Sequence, residues 1–391
     1  MKKRLLALAM CLLMVVSMLV ACDDGYYDAA KDYINNNSLK PTEPNVTLNM
    51  YIPCAEEIDS ITLSTMQAEF NYITETKYKT RVVFHMVKES EYQQLVLQQA
   101  AYAADHAQDE LDKTPASIND KYPKENDIQF DIFVSLNKSM LDSMISSGWV
   151  TDLTQEMTAT YNQKLFNLND KTSVSDVIYT NANWTVNGET VYYGVPSNYL
   201  IGEYTYYLID KNNADAHYFS KNDSVDIETR INELNANIDK NADVVDKAAY
   251  KAETIQTIAG DYRTRYAVDT SKYYVYVKSV PSVSTERLYE GMFCISTMCR
   301  YKERAMQVIA EIYTNIGLHT TLQYGAENLT YRLVKQDDGT TIVELIDNAP
   351  VYSINPKYTG NIAKLYICPE LGYTMTFVDD LSIQNKEAMM P

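Results

Sequence analysis

The feature that most constrains the fold is a series of three apolar strand patterns, each followed by a helical pattern, between residues 46 and 146. A strand followed by a single helix returns to the same end of its sheet, so repeated units of this kind build a parallel sheet covered by helices. The sequence therefore predicts an α/β fold. The strand patterns are Val46–Pro53, Thr80–Val87 and Phe130–Ser135, and the helical patterns are Glu57–Thr76, Glu89–His106 and Lys138–Ser146.

Polar residues follow two of these predicted strands directly. Glu56 comes just after the first strand, and Ser135 and Asn137 end or follow the third. Ligands of parallel sheets bind beyond the carboxyl ends of the strands. We therefore expect these three residues at the ligand edge of the sheet, with an ordinary role as loop residues as the alternative.

A second informative stretch is Tyr289–Tyr331, which begins with a short apolar run at Met292–Ile295 that predicts a buried strand. Apolar residues then recur at steps of three and four, which predicts an amphipathic helix. Gly317 is expected to end that helix, and Leu318–Tyr324 to form a second, shorter one. The apolar stripe consists of Ala305, Met306, Ile309, Ile312, Tyr313 and Ile316.

The order and spacing of motifs in this stretch resemble those of bacterial extracellular solute-binding lipoproteins that serve ABC importers. Three other segments are similar to the same family and occur in the same order along the chain. The motifs of the stretch are Ile295-Ser296, Glu303–Met306, Ile312–Asn315 and Leu322–Glu327. The other segments are Asp131–Phe133, Tyr193–Pro196 and Gly360-Asn361.

The resemblance implies the type II periplasmic-binding-protein fold. In this fold, two lobes, each a mainly parallel sheet flanked by helices, are joined by a hinge of several crossings. It implies lobe 1 at 46–203, a shortened lobe 2 at 204–285, a return to lobe 1 at 286–350, and a segment at 351–391 in lobe 2 or the hinge. The implied function is capture of a small solute, a saccharide above all, and its delivery to the permease. Further candidate solute contacts lie at predicted strand ends and crossings, namely Asn198, Tyr199, Tyr204, Tyr289 and Asn361.

The N-terminus has the pattern of a targeting segment. Three basic residues precede the apolar run Leu5–Val20, which is short for a membrane-spanning helix. The motif Leu19–Cys22 resembles a lipobox, in which the cysteine is diacylated and becomes the new N-terminus; an ordinary secretory peptide is the alternative. We expect Cys22 to anchor the protein on the extracytoplasmic face of the cell membrane, and residues 23–45 to be a flexible tether.

The composition excludes some partners. The chain has 34 Lys and Arg against 52 Asp and Glu, and a formal net charge of −18, which argues against binding to nucleic acid or to anionic lipid surfaces. Its 33 tyrosines suit a surface that grips sugars or peptides, because tyrosine combines an apolar ring with a hydroxyl. Their spread along the chain equally fits ordinary strand and core positions.

Motifs for catalysis or metal binding are missing from the sequence: there is no GxSxG, phosphate-binding loop, HExxH or CxxC pattern. We therefore expect no enzymatic activity, metal or cofactor. After the leader and Cys22, four cysteines remain, and a Cys294–Cys299 or a Cys54–Cys368 disulfide stays open.

The leading hypothesis is a monomeric, lipid-anchored solute-binding protein. A surface lipoprotein that has lost solute capture and serves in interactions is the main alternative, and an exported hydrolase is a weaker one. The shortened second lobe favours the first alternative.

Overall fold

A computed structural model describes residues 44–106, 128–157, 161–166, 170–199, 202–213, 219, 226–373 and 376–390. The predicted leader, the Cys22 anchor and nearly all of the predicted tether lie outside these residues. In the described part of the chain, no helix is both long enough and apolar enough to cross a membrane.

The three predicted β–α units form the first sheet. Its strand order is β2-β1-β3-β9, with β1 parallel to both β2 and β3, and β9 antiparallel to β3. All nine residues of β1 are buried because helices cover both faces of this central strand. The strands are β1 (Val46–Cys54), β2 (Thr80–Lys88), β3 (Ile132–Val134) and β9 (Phe293–Ile295), and the first helices are α1 (Ser60–Tyr78), α2 (Glu89–Asp105) and α3 (Lys138–Ser146).

Helix α1 shows how local sequence sets an element. Its N-terminus is capped by Asp59, whose carboxylate accepts the backbone N–H groups of Ile61 and Thr62. The helix ends where Lys79 adopts a left-handed conformation with φ of 47°. Met66 and Phe70, four residues apart on one face, are fully buried against the sheet.

The predicted helix pair of the second stretch forms, but its break is at a different residue. Helix α10 (Lys302–Thr314) ends before Asn315, which is extended, and α11 (Ile316–Tyr324) follows at once. Gly317 lies in the first turn of α11, so the expectation that it ends the first helix was wrong. The side chain of Asn315 accepts the N–H of Leu318 at 3.0 Å and caps α11, which makes the break favourable without glycine.

A second sheet has the order β7-β6-β8, and both pairs are antiparallel. The expectation that the second lobe also has a mainly parallel sheet was therefore wrong. In the described part of the chain between β6 and β7, two helices, α6 (Ile227–Lys240) and α7 (Lys247–Thr254), pack against each other. A pair of helices that run in opposite directions brings the chain back to the end of the sheet at which it left, which fits the antiparallel direction of β7. The strands are β6 (Glu203–Asp210), β7 (Ile255–Gly260) and β8 (Tyr273–Ser282).

Two hairpins and several short elements complete the part of the fold that the structure describes. The first hairpin turns at Asn187-Gly188, and both residues have positive φ, as a tight two-residue hairpin turn requires. The hairpins are β4 (Trp184–Val186) with β5 (Glu189–Val191), and β10 (Tyr331–Lys335) with β11 (Thr341–Leu345). The remaining α-helices are α4 (Asn162–Leu165), α5 (Asp176–Asn181), α8 (Thr264–Ala267), α9 (Thr285–Leu288) and α12 (Phe377–Glu387), with 3₁₀ turns at Pro356–Tyr358, Ile362–Lys364 and Pro369–Leu371.

Among the described residues, the buried apolar side chains form three clusters. The first surrounds the four-stranded sheet, and the other two lie on opposite faces of the β6–β8 sheet. The β10–β11 hairpin, which the implied map gives to lobe 1, contributes Tyr331 and Val343 to the second cluster. Ile354 and Tyr358 pack in the first cluster, and Ile362 packs in the second. The chain therefore passes between the cores at several places.

Candidate functional site

The carboxyl edge of the first sheet gathers polar side chains from separate strands. Glu56, after β1, is exposed and places Oε2 at 3.7 Å from Nζ of Lys88 at the end of β2. Ser135, after β3, is fully buried. Its hydroxyl donates to the backbone oxygen of Tyr289 at 2.6 Å and accepts the N–H of Met292 at 3.2 Å. Ser135 therefore links the end of β3 to the backbone that leads into β9, whereas the Glu56 side chain is exposed to solvent.

Asn137 has a similar local role. Its Oδ1 accepts the backbone N–H of Met140 at 2.8 Å and so caps α3. This cap sets the start of the helix that carries Lys138 and Asp142.

Tyr289 lies in what we call the aromatic–lysine cluster: Lys138, Asp142, Trp184, Tyr193 and Tyr289. The Trp184 ring lies 4.6 Å from the Tyr289 ring and 5.4 Å from the Tyr193 ring, between centroids. Nζ of Lys138 is 5.4 Å from the Tyr289 centroid and 5.9 Å from that of Trp184. Both Lys138 and the Trp184 indole donate to the Asp142 carboxylate, at 2.5 and 2.9 Å.

The electrostatics of this cluster keep Tyr289 neutral. Burial, together with the nearby charge of Asp142, raises the pKa of its phenol. The hydroxyl donates to the backbone oxygen of Asn183 at 2.8 Å. The cluster thus offers aromatic faces beside a balanced pair of charges, a combination suited to an uncharged polar ligand.

Sequence reasoning identified Tyr289 but missed Lys138, Asp142 and Trp184. Trp184 is one of only two tryptophans, and it is the first residue of the β4–β5 hairpin. Its rarity was the available signal. Its contact with Tyr289, which is 105 residues away in the chain, could not be predicted from the sequence around either residue.

Asn198 and Asn361 lie at crossings between the cores and are 2% and 1% exposed. Nδ2 of Asn198 donates to Oδ1 of Asn361 at 2.9 Å, and Nδ2 of Asn385 donates to Oδ1 of Asn198 at 3.2 Å. The backbone N–H of Asn198 also donates to the Gly360 oxygen at 2.8 Å. In this structure, these amides hold the crossing segments together, and their burial leaves almost no side-chain surface for a solute.

The remaining candidates, Tyr199 and Tyr204, belong to the second core. Tyr204 is 6% exposed, and its hydroxyl donates to Glu387 at 3.1 Å. Tyr199 is half-buried beside the same core. The eight candidates thus divide into four at the first sheet edge and four at or beside the crossings, and contact with a solute stays a prediction for all of them.

The cysteines and acidic residues add no reactive centre in the described residues. Cys54, Cys294, Cys299 and Cys368 are free and buried, so neither of the disulfides left open by the sequence is present. Burial raises the pKa of each of these thiols, which keeps them protonated. Within the described ranges, no group of three or more His, Cys, Asp or Glu side chains is arranged to hold a metal ion.

Comparison with known proteins gives the fold. No protein-family model and no curated protein matches the chain. Among solved structures, the chain is similar to the N-glycan transport solute binding protein NgtS from Streptococcus pneumoniae, at a TM-score of 0.53 and 15% identity over 89% of this chain and 84% of that one. A structure of NgtS in complex with Man1GlcNAc matches at 0.50 and 14%, over 88% and 84%.

At this identity the likeness establishes architecture only. It confirms the predicted two-lobed α/β fold of the periplasmic-binding-protein type. The resemblance read from the sequence motifs therefore holds at the level of fold.

Proposed function

We propose that this protein is a solute-binding protein that captures a saccharide between its two lobes and delivers it to the permease of an ABC importer. The observation that carries the proposal is the two-lobed fold, with cores linked by several crossing segments. Lobes joined in this way can close around a ligand by bending at the crossings. The names of the similar structures, an N-glycan transport protein and its complex with Man1GlcNAc, support a saccharide as the ligand class.

The aromatic–lysine cluster is the proposed contact surface of the first lobe. A sugar ring has apolar C–H faces and a rim of hydroxyls, so it pairs well with an aromatic face bordered by charged and polar groups. Trp184 is partly exposed and supplies such a face. Lys138 and Asp142 supply a donor and an acceptor beside it. The proposed function is binding without chemical change of the solute.

The proposed cellular location follows from the leader. Diacylation of Cys22 would anchor the protein on the extracytoplasmic face of the membrane, with residues 23–45 as the tether and the permease as the membrane partner. Mass spectrometry of the N-terminal peptide from native membranes should show a diacylated Cys22. An unmodified N-terminus at another residue would contradict the anchor.

Saccharide capture predicts a concentration-dependent rise in melting temperature. A ligand that binds only the folded state at 100 times its Kd adds about 2.7 kcal/mol of stability, and we expect a rise of several degrees. The panel should contain Man1GlcNAc, larger mannose–N-acetylglucosamine glycans, and gluco- and xylo-oligosaccharides, with peptides and polyamines for comparison. Absence of a shift with every saccharide would reject the proposal.

The same measurement separates site residues from the rest. Trp184→Ala should weaken saccharide binding by about tenfold, a loss of roughly 1.4 kcal/mol, as expected for a single aromatic contact. Trp149→Phe is the matched control, because Trp149 packs against the first core outside the aromatic–lysine cluster. Equal affinities for the two variants would remove Trp184 from the site.

A further inference from the structure

Three charged side chains from separate parts of the chain meet at the carboxyl edge of the first sheet, and we call them the lysine–carboxylate cluster. Glu89 directly follows β2, and Glu290 lies in the segment that leads from the same edge into the antiparallel strand β9. Lys357 lies in a segment that crosses between the cores, since Tyr358 packs in the first core and Ile362 in the second. The cluster therefore lies at the edge where ligands of parallel sheets bind.

Close backbone packing fixes the position of Lys357 at this edge. Gly291 has φ of 73°, and a Cβ there would lie 1.8 Å from the backbone oxygen of Lys357. The N–H of Gly291 donates to the backbone oxygen of Ser135, the residue after β3, at 2.8 Å. The crossing segment is thus in direct contact with the edge of the sheet. Glu290 directly follows Tyr289, so the lysine–carboxylate and aromatic–lysine clusters are neighbours.

The ammonium group of Lys357 keeps its donors available. Nζ lies 3.7 Å from Oε1 of Glu89 and 3.8 Å from Oε2 of Glu290, beyond the usual N–H···O distance of about 2.7–3.2 Å. The Tyr358 hydroxyl donates to Oε1 of Glu89 at 2.7 Å and so orients that carboxylate. The side chains of Glu89, Glu290 and Lys357 are 45%, 27% and 19% exposed, so each has surface that a ligand can reach.

We propose that the lysine–carboxylate cluster binds hydroxyl groups of the saccharide and makes the site selective for uncharged sugars. This inference rests on the function proposed above. The ammonium is a donor and the two carboxylates are acceptors, so neighbouring sugar hydroxyls, which can both donate and accept, pair with all three groups. One positive and two negative charges leave the cluster with a net negative charge. A sugar acid would bring a further carboxylate beside Glu89 and Glu290, and like charges in contact weaken binding.

The first test removes the donors of Lys357. Lys357→Met keeps an unbranched apolar side chain, and it should weaken binding of a neutral saccharide from the panel above by about tenfold, as measured by titration calorimetry. Lys251→Met is the matched control. Lys251 is also partly exposed and bonds a carboxylate, that of Asp239 at 2.7 Å, but it lies in α7 of the second lobe and not at the edge of the first sheet. The control should leave saccharide affinity unchanged.

The second test compares two matched ligands. One is a neutral hexose oligosaccharide of the panel, and the other is the same oligosaccharide with every C6 hydroxymethyl group oxidised to a carboxylate. The wild-type protein should bind the oxidised form at least about tenfold more weakly. The double variant Glu89→Gln/Glu290→Gln should reduce this difference, because it removes two negative charges and keeps the shape of both side chains. It also tests the cluster without changing Lys357.

The outcomes distinguish this inference from the proposed function. If the wild-type protein binds a saccharide and Lys357→Met binds it equally well, or Lys251→Met loses as much affinity, the inference is overturned and the proposed function stands. The same holds if wild type binds the oxidised form as tightly as the neutral one, or if the double variant leaves the difference unchanged. If no saccharide, neutral or oxidised, binds to the wild-type protein, the proposed function fails and this inference fails with it.

Discussion

At the scale of single residues, His319 shows what burial does to a titratable group. The side chain is fully buried in α11, with Nε2 at 3.1 Å from the Thr359 hydroxyl. That hydroxyl donates its only proton to Oε1 of Gln323 at 2.7 Å. In the contact between Thr359 and His319, the Nε2–H group of His319 is therefore the donor and the Thr359 hydroxyl is the acceptor. Burial lowers the pKa of His319 from 6.5 to about 3. The neutral ring thus helps to hold the crossing at Thr359.

This residue should make stability depend on pH. Between pH 6.5 and 3, the unfolded chain binds a proton at His319 that the folded protein does not. Stability is therefore lost as the pH falls, by about 1.4 kcal/mol per pH unit. Urea unfolding of wild type and His319→Gln from pH 7 to 4 should show the steeper loss in wild type.

Two carboxyl groups of the described residues, Glu69 and Glu327, titrate with the opposite sign, because burial raises the pKa of both. Burial raises the pKa of Glu69 to about 7, so protonation of this carboxyl adds stability as the pH falls. Both proteins share Glu69 and Glu327, so the difference between them isolates His319. Parallel pH profiles would exclude His319 as the cause.

At the scale of elements, the break between α10 and α11 depends on one side chain. Asn315 caps α11 through the N–H of Leu318 and donates to Oε1 of Glu311 at 2.7 Å. Glu311 is itself buried and paired with Lys77 at 2.5 Å. Asn315 therefore connects the N-terminus of α11 to the buried Glu311–Lys77 ion pair.

Replacing Asn315 should lower the free energy of unfolding. Asn315→Ala removes the cap and the donor to Glu311, for an expected loss of about 1–2 kcal/mol. Asn315→Ser retains a capping oxygen and should lose less. Urea unfolding at neutral pH measures both, and wild-type stability for Asn315→Ala would show that the break is set by other contacts.

The elements also show where sequence reasoning succeeds. The first strands and helices were predicted to within about three residues, because a buried parallel sheet needs long apolar runs separated by amphipathic helices. Asn198 and Asn361 were predicted as candidate solute contacts, but their mutual hydrogen bond, which spans 163 residues of chain, was not predicted. The antiparallel second sheet likewise depends on how two helices pack. Long-range pairings of this kind leave no local pattern.

At the scale of the whole molecule, the crossings are in close contact. Gly202, just before β6, has φ of 80°, and a Cβ there would lie 2.5 Å from the backbone oxygen of Ser282 at the end of β8. Gly148 has a similar φ of 74°, and none of the described residues has an atom within 4 Å of that position. Substitution at Gly148 therefore tests backbone strain alone, whereas substitution at Gly202 tests the same strain together with a steric clash against Ser282.

Alanine at these two positions should have unequal effects. Gly148→Ala should cost about 1 kcal/mol, the strain of a left-handed alanine. Gly202→Ala adds a clash with backbone and should cost at least about 2 kcal/mol more. Urea unfolding gives both values, and hydrogen exchange should quicken around residues 202 and 282 in Gly202→Ala only. Equal losses of unfolding free energy in the two variants would mean that the chain segments at Gly202 and Ser282 are not in close contact.

The tied crossings limit the kind of motion the lobes can make. The backbone N–H of Asn198 donates to the Gly360 oxygen, the N–H of Val283 donates to the Met389 oxygen, and the N–H of Met389 donates to the Pro281 oxygen. Several segments of the chain therefore run side by side between the cores. Two lobes joined by a single linker can both bend and twist relative to each other. Several hydrogen-bonded segments side by side still allow bending but resist twisting of one lobe against the other. Under the proposed function, each closure would follow one arc and would bring the aromatic–lysine cluster to the same position against the second lobe every time.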